Sequence, residues 1–239
     1  MRNFLVALAL VLSGCVTTAP PPPPLPPPAT APSGADGRQG PRAAAITFLQ
    51  VVARVEPVAE RLCRERGIAE NCDFRIVVDD RPGQPPNAFQ TLDRSGRPIV
   101  GFSLALIADA RNPDELAFVL GHEAAHHIAG HIPKRREQAL SGALLAGVLA
   151  QASGLSPEEI REAQAIGAEA AALSYSKEFE LEADALGTEI TLMAGYDPIR
   201  GTGFFDRLPD PGDKFLGTHP PNRDRKALVA ATVRRLTGS

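Results

Sequence analysis

Tryptophan is absent from this chain, aromatic residues make up only 5% of it, and no basic run carries aromatics between its charges. A nucleic-acid surface needs both cations for phosphates and rings for bases, so no nucleic-acid partner is expected. Neither sign of charge is in excess, with a net charge of -3 over 239 residues. Cysteine is scarce, three in all, and no C-x-x-C occurs, which excludes a thioredoxin-type redox site. No internal repeat is found. The longest apolar run after the N-terminus, "ALSGALLAGVLAQASGL", holds about 17 residues with Ser and Gln among them, short of a bilayer span. It reads as a helix packed in the domain or covering the site. What is present is enough apolar sequence, 44%, for one globular domain with a real core.

The N-terminus, "MRNFLVALALVLSGC", joins a basic start to an apolar core from Phe4 to Leu12 and small residues before Cys15. That is the pattern of a secretory signal, and its ending resembles a bacterial lipobox whose cysteine is lipidated after cleavage. The expected organisation is a signal peptide over 1–14, a lipidated Cys15 with a proline-rich tether over 15–41, and a folded domain over 42–239. The tether, "TTAPPPPPLPPPATAPSGADGRQGP", cannot build a core, and as polyproline II it would reach up to about 75 Å. In lipoproteins of the kind it resembles, Asp after the cysteine favours inner-membrane retention, so with Val16 there the resemblance implies the outer membrane, on the periplasmic side of a bacterial envelope. In that oxidising compartment Cys63 and Cys72, which bracket "RERGIAEN", are expected to form a disulfide.

Four of the five histidines fall in "GHEAAHHIAGH". On a helix His122 and His126 lie about 40° apart, one turn above the other, so both imidazoles reach one ion. Glu123 between them can hold a water, the arrangement of the zinc-peptidase H-E-x-x-H motif. His131 would lie about 180° from His122 if the helix continued, so it and His127 are read as packing residues or supports of the ligands. A third ligand must come from elsewhere, because the metzincin positions for glycine and the third histidine hold Ala129 and Ile132.

Periodicity places a first helix over "AAAITFLQVVARVEPVAERLCRER", a strand at "FRIVVDD" and a hairpin over "NAFQTLDRSGRPIVGF". Asn112 as N-cap, Pro113 at the first position and two acids in the first turn start the histidine helix. Ser156 caps another helix, a further one runs from about Lys177 to Ala194, and two more follow at "DPIRGTGFFDRL" and "NRDRKALVAATVRRL". The fold class is α+β, mostly helical, with one small β-sheet.

"EFELEADALG" supplies acidic candidates at Glu178, Glu180, Glu182 and Asp184. Glu180 and Asp184 share a helix face, so one can bind metal while the other orients a ligand imidazole, and Glu182 faces nearly the opposite way. Taken in order, "HEAAH", "ELEAD", "AGYDP" and "THPPNRDR" resemble the zinc metallopeptidase family of CAAX prenyl proteases, heat-shock membrane peptidases and periplasmic lipoprotein peptidases of outer-membrane assembly. The resemblance covers most of the chain after the tether.

It implies a zincin-like (gluzincin) domain with one Zn2+ held by His122, His126 and Glu180. Glu123 becomes the general base, Asp184 the acid behind a ligand, and His219 and Arg225 the family's further catalytic pair. It also makes the strand near Asn87 to Thr91 the edge on which an extended substrate lies. The implied activity is that of a metalloendopeptidase on polypeptide substrates, unfolded envelope proteins in outer-membrane quality control. Membrane attachment is through the lipid, and the oligomeric state is left open. Two other readings stand beside it. One is an assembly chaperone with a latent peptidase site, its open position occupied by His219 or the apolar segment. The other is a structural zinc protein, disfavoured because such sites close with four protein ligands and need no glutamate base.

Overall fold

The computed structural model describes residues 37–174, 176–207 and 220–238. Cys15, most of the tether and His219 lie outside the described residues. The element order is α1 (Pro41–Arg66), β1 (Arg75–Asp79), β2 (Ala88–Leu92), β3 (Pro98–Ser103), α2 (Leu104–Asp109), α3 (Pro113–Ile128), α4 (His131–Ala152), α5 (Pro157–Ser174), α6 (Ser176–Met193), α7 (Pro198–Gly201), a 3-10 turn at Thr202–Arg207, and α8 (Asn222–Thr237). The architecture is α+β and mostly helical.

The sheet has the order β1-β3-β2, with β1 parallel and β2 antiparallel to β3. The β2–β3 hairpin turns where Asp93 accepts from the amides of Ser95 and Arg97, and Gly96 takes a φ of 81°. β3 is the central strand, with Val100 and Phe102 fully buried, and β2 forms one edge. Phe102 meets Phe48 of α1 edge-on at 5.0 Å between centroids.

α3 is the buried axis of the domain. It starts as its sequence dictates, with the Asn112 side chain accepting from the Glu115 amide and Pro113 at the first position. α1 packs on one side of it and α6 on another. The crossing of α3 and α6 is unusually close because two glycines meet there: a Cβ on Gly187 would come within 2.8 Å of the His122 amide nitrogen, and one on Gly121 within 2.9 Å of the Gly187 carbonyl oxygen. Thr191, fully buried on α6, directs its hydroxyl to the Gly187 carbonyl.

Two features depart from expectation. The helix expected to run through Ile132 ends at Ile128, because Gly130 takes the left-handed conformation (φ 70°) and α4 starts anew at His131. The apolar run after it, read as a packed or covering helix, instead forms the exposed arm of an α4–α5 hairpin, with Leu140, Leu144, Leu145, Val148 and Leu149 all facing solvent. Ser156 and Glu159 close a reciprocal capping box at the start of α5.

A disulfide joins Cys63, in the last turn of α1, to Cys72, with 5.7 Å between their Cα atoms. The loop it closes presents the Asn71 carbonyl, which accepts from His127 Nε2 at 2.6 Å. His127 also meets the Phe74 ring edge-on, so it packs beneath the site and takes no part in the cluster of ligand atoms.

Candidate metal centre

One turn of α3 separates His122 from His126, and their Nε2 atoms face each other at 3.1 Å. α6 crosses at the Gly121–Gly187 contact and brings Glu180 alongside, its two carboxylate oxygens 3.5 Å from His122 Nε2 and 3.4 Å from His126 Nε2. One atom from each of the three residues lies within 4.8 Å of the others, and no further set of three such side chains is found among the described residues. Glu123 lines the cleft with His126, Glu180 and Gln90 of β2, and lines the adjoining cavity with His122 and Phe118.

Each imidazole is held from behind through its Nδ1. His122 Nδ1 meets Asp184 Oδ1 at 2.9 Å. Asp184 has no exposed surface and accepts two hydrogen bonds of 2.7 Å from the Arg225 guanidinium. Arg225 in turn lies over the Phe205 ring, 4.1 Å from its centroid. The structure therefore sets Arg225 against Asp184, where it positions His122, while one edge of it reaches the cavity shared with Glu123. Burial alone would raise the Asp184 carboxyl, and the Arg225 and His122 hydrogen bonds outweigh it and hold the group below its ordinary range. Burial would lower His122, yet hydrogen bonds to Asp184 and Glu180 hold its imidazolium up to about 10.

His126 has a support of its own that spacing did not reveal. His126 Nδ1 lies 2.8 Å from Nδ1 of His131, and His131 Nε2 lies 3.0 Å from Glu182 Oε2. Desolvation lowers His131 to about 4 against the pull of Glu182, so the ring is neutral at physiological pH. A neutral His131 beside a carboxylate carries its proton on Nε2 and accepts at Nδ1. His126 then donates from Nδ1 and turns the Nε2 lone pair to the centre. The His131 ring is fixed by stacking on Phe179, 4.5 Å between centroids. His131 does not face away from the ligands, because the helix-wheel argument ends where α3 ends. Glu182 does face away from Glu180, and that orientation lets it hold the second histidine while Asp184 holds the first.

The donor set is two imidazoles and one carboxylate, the chemistry of a catalytic zinc centre, which keeps a position open. With its helix-borne histidines and the glutamate from a second helix, the site is of the gluzincin type.

Comparison with known proteins agrees with this geometry. The chain is 32% identical over 136 residues to the Mitochondrial metalloendopeptidase OMA1 of Arabidopsis thaliana, covering 55% of this chain and 27% of that protein. It is 30% identical over 179 residues to a Putative beta-barrel assembly-enhancing protease of Vibrio cholerae, covering 65% of this chain and 36% of that protein. The matched part thus spans well under half the length of either relative. The family model for Peptidase family M48 matches residues 50–232, a stretch that runs through His122 and His126 of α3, the acids of α6 and Arg225 on α8. On that match the chain belongs to Peptidase family M48.

Proposed function

We propose that this chain is a zinc-dependent metalloendopeptidase whose ligands are His122, His126 and Glu180. The observation that carries the reading is the convergence of these three side chains, with Glu123 and Glu180 lining both the cleft that holds His126 and the adjoining cavity that holds His122. A zinc ion held there supplies Lewis acidity, acidifying water and polarising a peptide carbonyl. Glu123 takes the proton of the attacking water and returns it to the departing amine. Asp184, backed by Arg225, keeps His122 in the tautomer that offers Nε2. His131, backed by Glu182, does the same for His126.

Among the described residues β2 is an edge strand, and Gln90 within it lines the same cleft as Glu123. An extended polypeptide pairing with that edge would pass its backbone over the site, which favours unfolded segments as substrates. His219, assigned to the catalytic set by family resemblance, is proposed to act on the carbonyl oxygen from the chain preceding α8.

The biological setting we propose is the bacterial envelope, with a signal peptide over 1–14, lipidation at Cys15, a tether to residue 41 and the peptidase domain over 42–239, facing the periplasm from the outer membrane. The name of the Vibrio cholerae relative, a beta-barrel assembly-enhancing protease, supports quality control of outer-membrane proteins as the task.

Glu123→Gln tests the assignment. Zinc content should stay at one per chain while turnover of an unfolded protein substrate falls by ~10²-fold or more. Full turnover in the zinc-loaded variant would refute the role of Glu123, and loss of zinc would mean that it binds rather than catalyses.

A further inference from the structure

The α4–α5 hairpin is built inside out. Its internal contact is made by small residues: a Cβ on Gly142 would strike the Gly167 carbonyl and Ala171, and one on Gly167 would strike Ala146. Large apolar side chains point outward instead, with Leu140, Leu144, Leu145, Val148 and Leu149 of α4 each 58–63% exposed and Leu155 exposed at the tip. A water-soluble helix pair does the reverse, burying leucine on its seam and turning small or polar residues outward. Small residues at the helix contact and leucine on the outside are the pattern of helices that face hydrocarbon.

Charge is arranged in keeping with this. No charged residue occurs between Glu137 and Glu158, while Lys134, Arg135, Arg136 and Glu137 stand at the root of α4, three cations against one acid, with Lys134 also 3.7 Å from Glu182. α5 turns Glu158, Glu162 and Glu169 to water. No helix among the described residues is long and apolar enough to cross a membrane. We infer that α4 lies on a lipid surface, with its leucine face among the acyl chains of one leaflet and its basic root against anionic headgroups. A second copy of the hairpin fits less well. A dimer seam would not call for cations at one end of the apolar face, whereas an anionic headgroup layer does. This contact is separate from any lipid at Cys15. It would set the domain's orientation on the membrane, with the cleft at the root of α4, where Ile132 and Arg135 line it.

The test places a fluorophore whose emission shifts to the blue in apolar surroundings at Leu144→Cys in the full chain. Cys15→Ser removes the only cysteine outside the Cys63–Cys72 pair. Vesicles of phosphatidylethanolamine and phosphatidylglycerol should shift the emission, and lipids carrying a quencher in their acyl chains should quench it. The same label at Glu162→Cys should stay in water. Phosphatidylcholine vesicles should need about ten-fold more lipid or beyond for the same shift. Leu145→Asp with Val148→Asp should abolish the shift, and since both side chains are exposed the zinc content should be unchanged. A Leu144 label that stays in water at saturating anionic vesicles, whether or not the protein sediments with them, overturns the inference. So does a shift that needs no lipid and grows with protein concentration, which would assign the face to a second copy.

Discussion

Each imidazole of the His122–His126–Glu180 cluster is held through its Nδ1 by a hydrogen-bonded support that includes an acid. His122 is supported by Asp184 and Arg225, His126 by His131 and Glu182. The two supports differ in burial, since Asp184 has no exposed surface and the Glu182 side chain is 50% exposed. Removing the first takes from the buried Arg225 guanidinium its closer carboxylate and leaves only Glu180 at 3.6 Å, so Asp184→Asn should damage fold and metal binding together. The second can be cut with less harm to packing. Glu182→Gln is expected to keep the fold and to speed zinc loss to a chelator by about 10–100-fold, the usual range for a partner behind a metal-binding histidine. His131→Ala should do the same, and Glu182→Asp should restore part of the lost affinity. Zinc release at the wild-type rate in both variants would return His131 to a packing role.

At the scale of elements, the centre depends on how closely α3 and α6 approach. His122 directly follows Gly121 on α3, and Glu180 lies two turns of α6 before Gly187, so the glycine contact sets the separation of the ligands. Gly187→Ala would press a methyl group onto the His122 backbone, and both helices would have to part. A cost of about 1–3 kcal/mol in stability is expected for such overpacking, together with at least ten-fold weaker zinc binding. Denaturant unfolding and chelator competition measure the two effects. Stability lost with zinc affinity unchanged would show that the crossing matters only for packing. The spacing of "HEAAH" does not announce either glycine, because their importance arises from a partner 66 residues away.

Across the whole molecule, the turn at Thr202–Arg207 is tied to the body through charge. Arg207 donates to Asp109 at the end of α2 and to Glu115 in the first turn of α3, and Arg38 reaches Asp109 from before α1. Desolvation alone would raise the Asp109 carboxyl, but the hydrogen bonds from Arg38 and Arg207 prevail and hold it below its ordinary value. A folded-state value below the unfolded one makes the stabilisation complete above the unfolded value, roughly pH 3.9. It is lost as pH falls through the depressed folded value. The difference in unfolding free energy between wild type and Asp109→Asn should therefore be constant from neutral pH to about 5 and shrink below about 4. A difference that persists in acid would place the effect in packing rather than charge.

Much of this protein was legible locally. The turn of a helix puts residues four apart on one face, so His122 and His126 converge wherever α3 packs. Asn112 and Pro113 set its start, and the Asp93–Gly96 turn sets the β2–β3 hairpin. These follow from backbone geometry within a few residues. The parallel pairing of β1 with β3, the arrival of Glu180 beside the histidines and the return of His131 to His126 were decided by tertiary structure. Gly130 breaks the helix, two glycines let α6 close on α3, and contacts far apart in sequence leave no periodic trace. The leucines of α4 carry the same lesson: apolar periodicity marks a face that avoids water, and only the fold shows that no part of the described domain covers it.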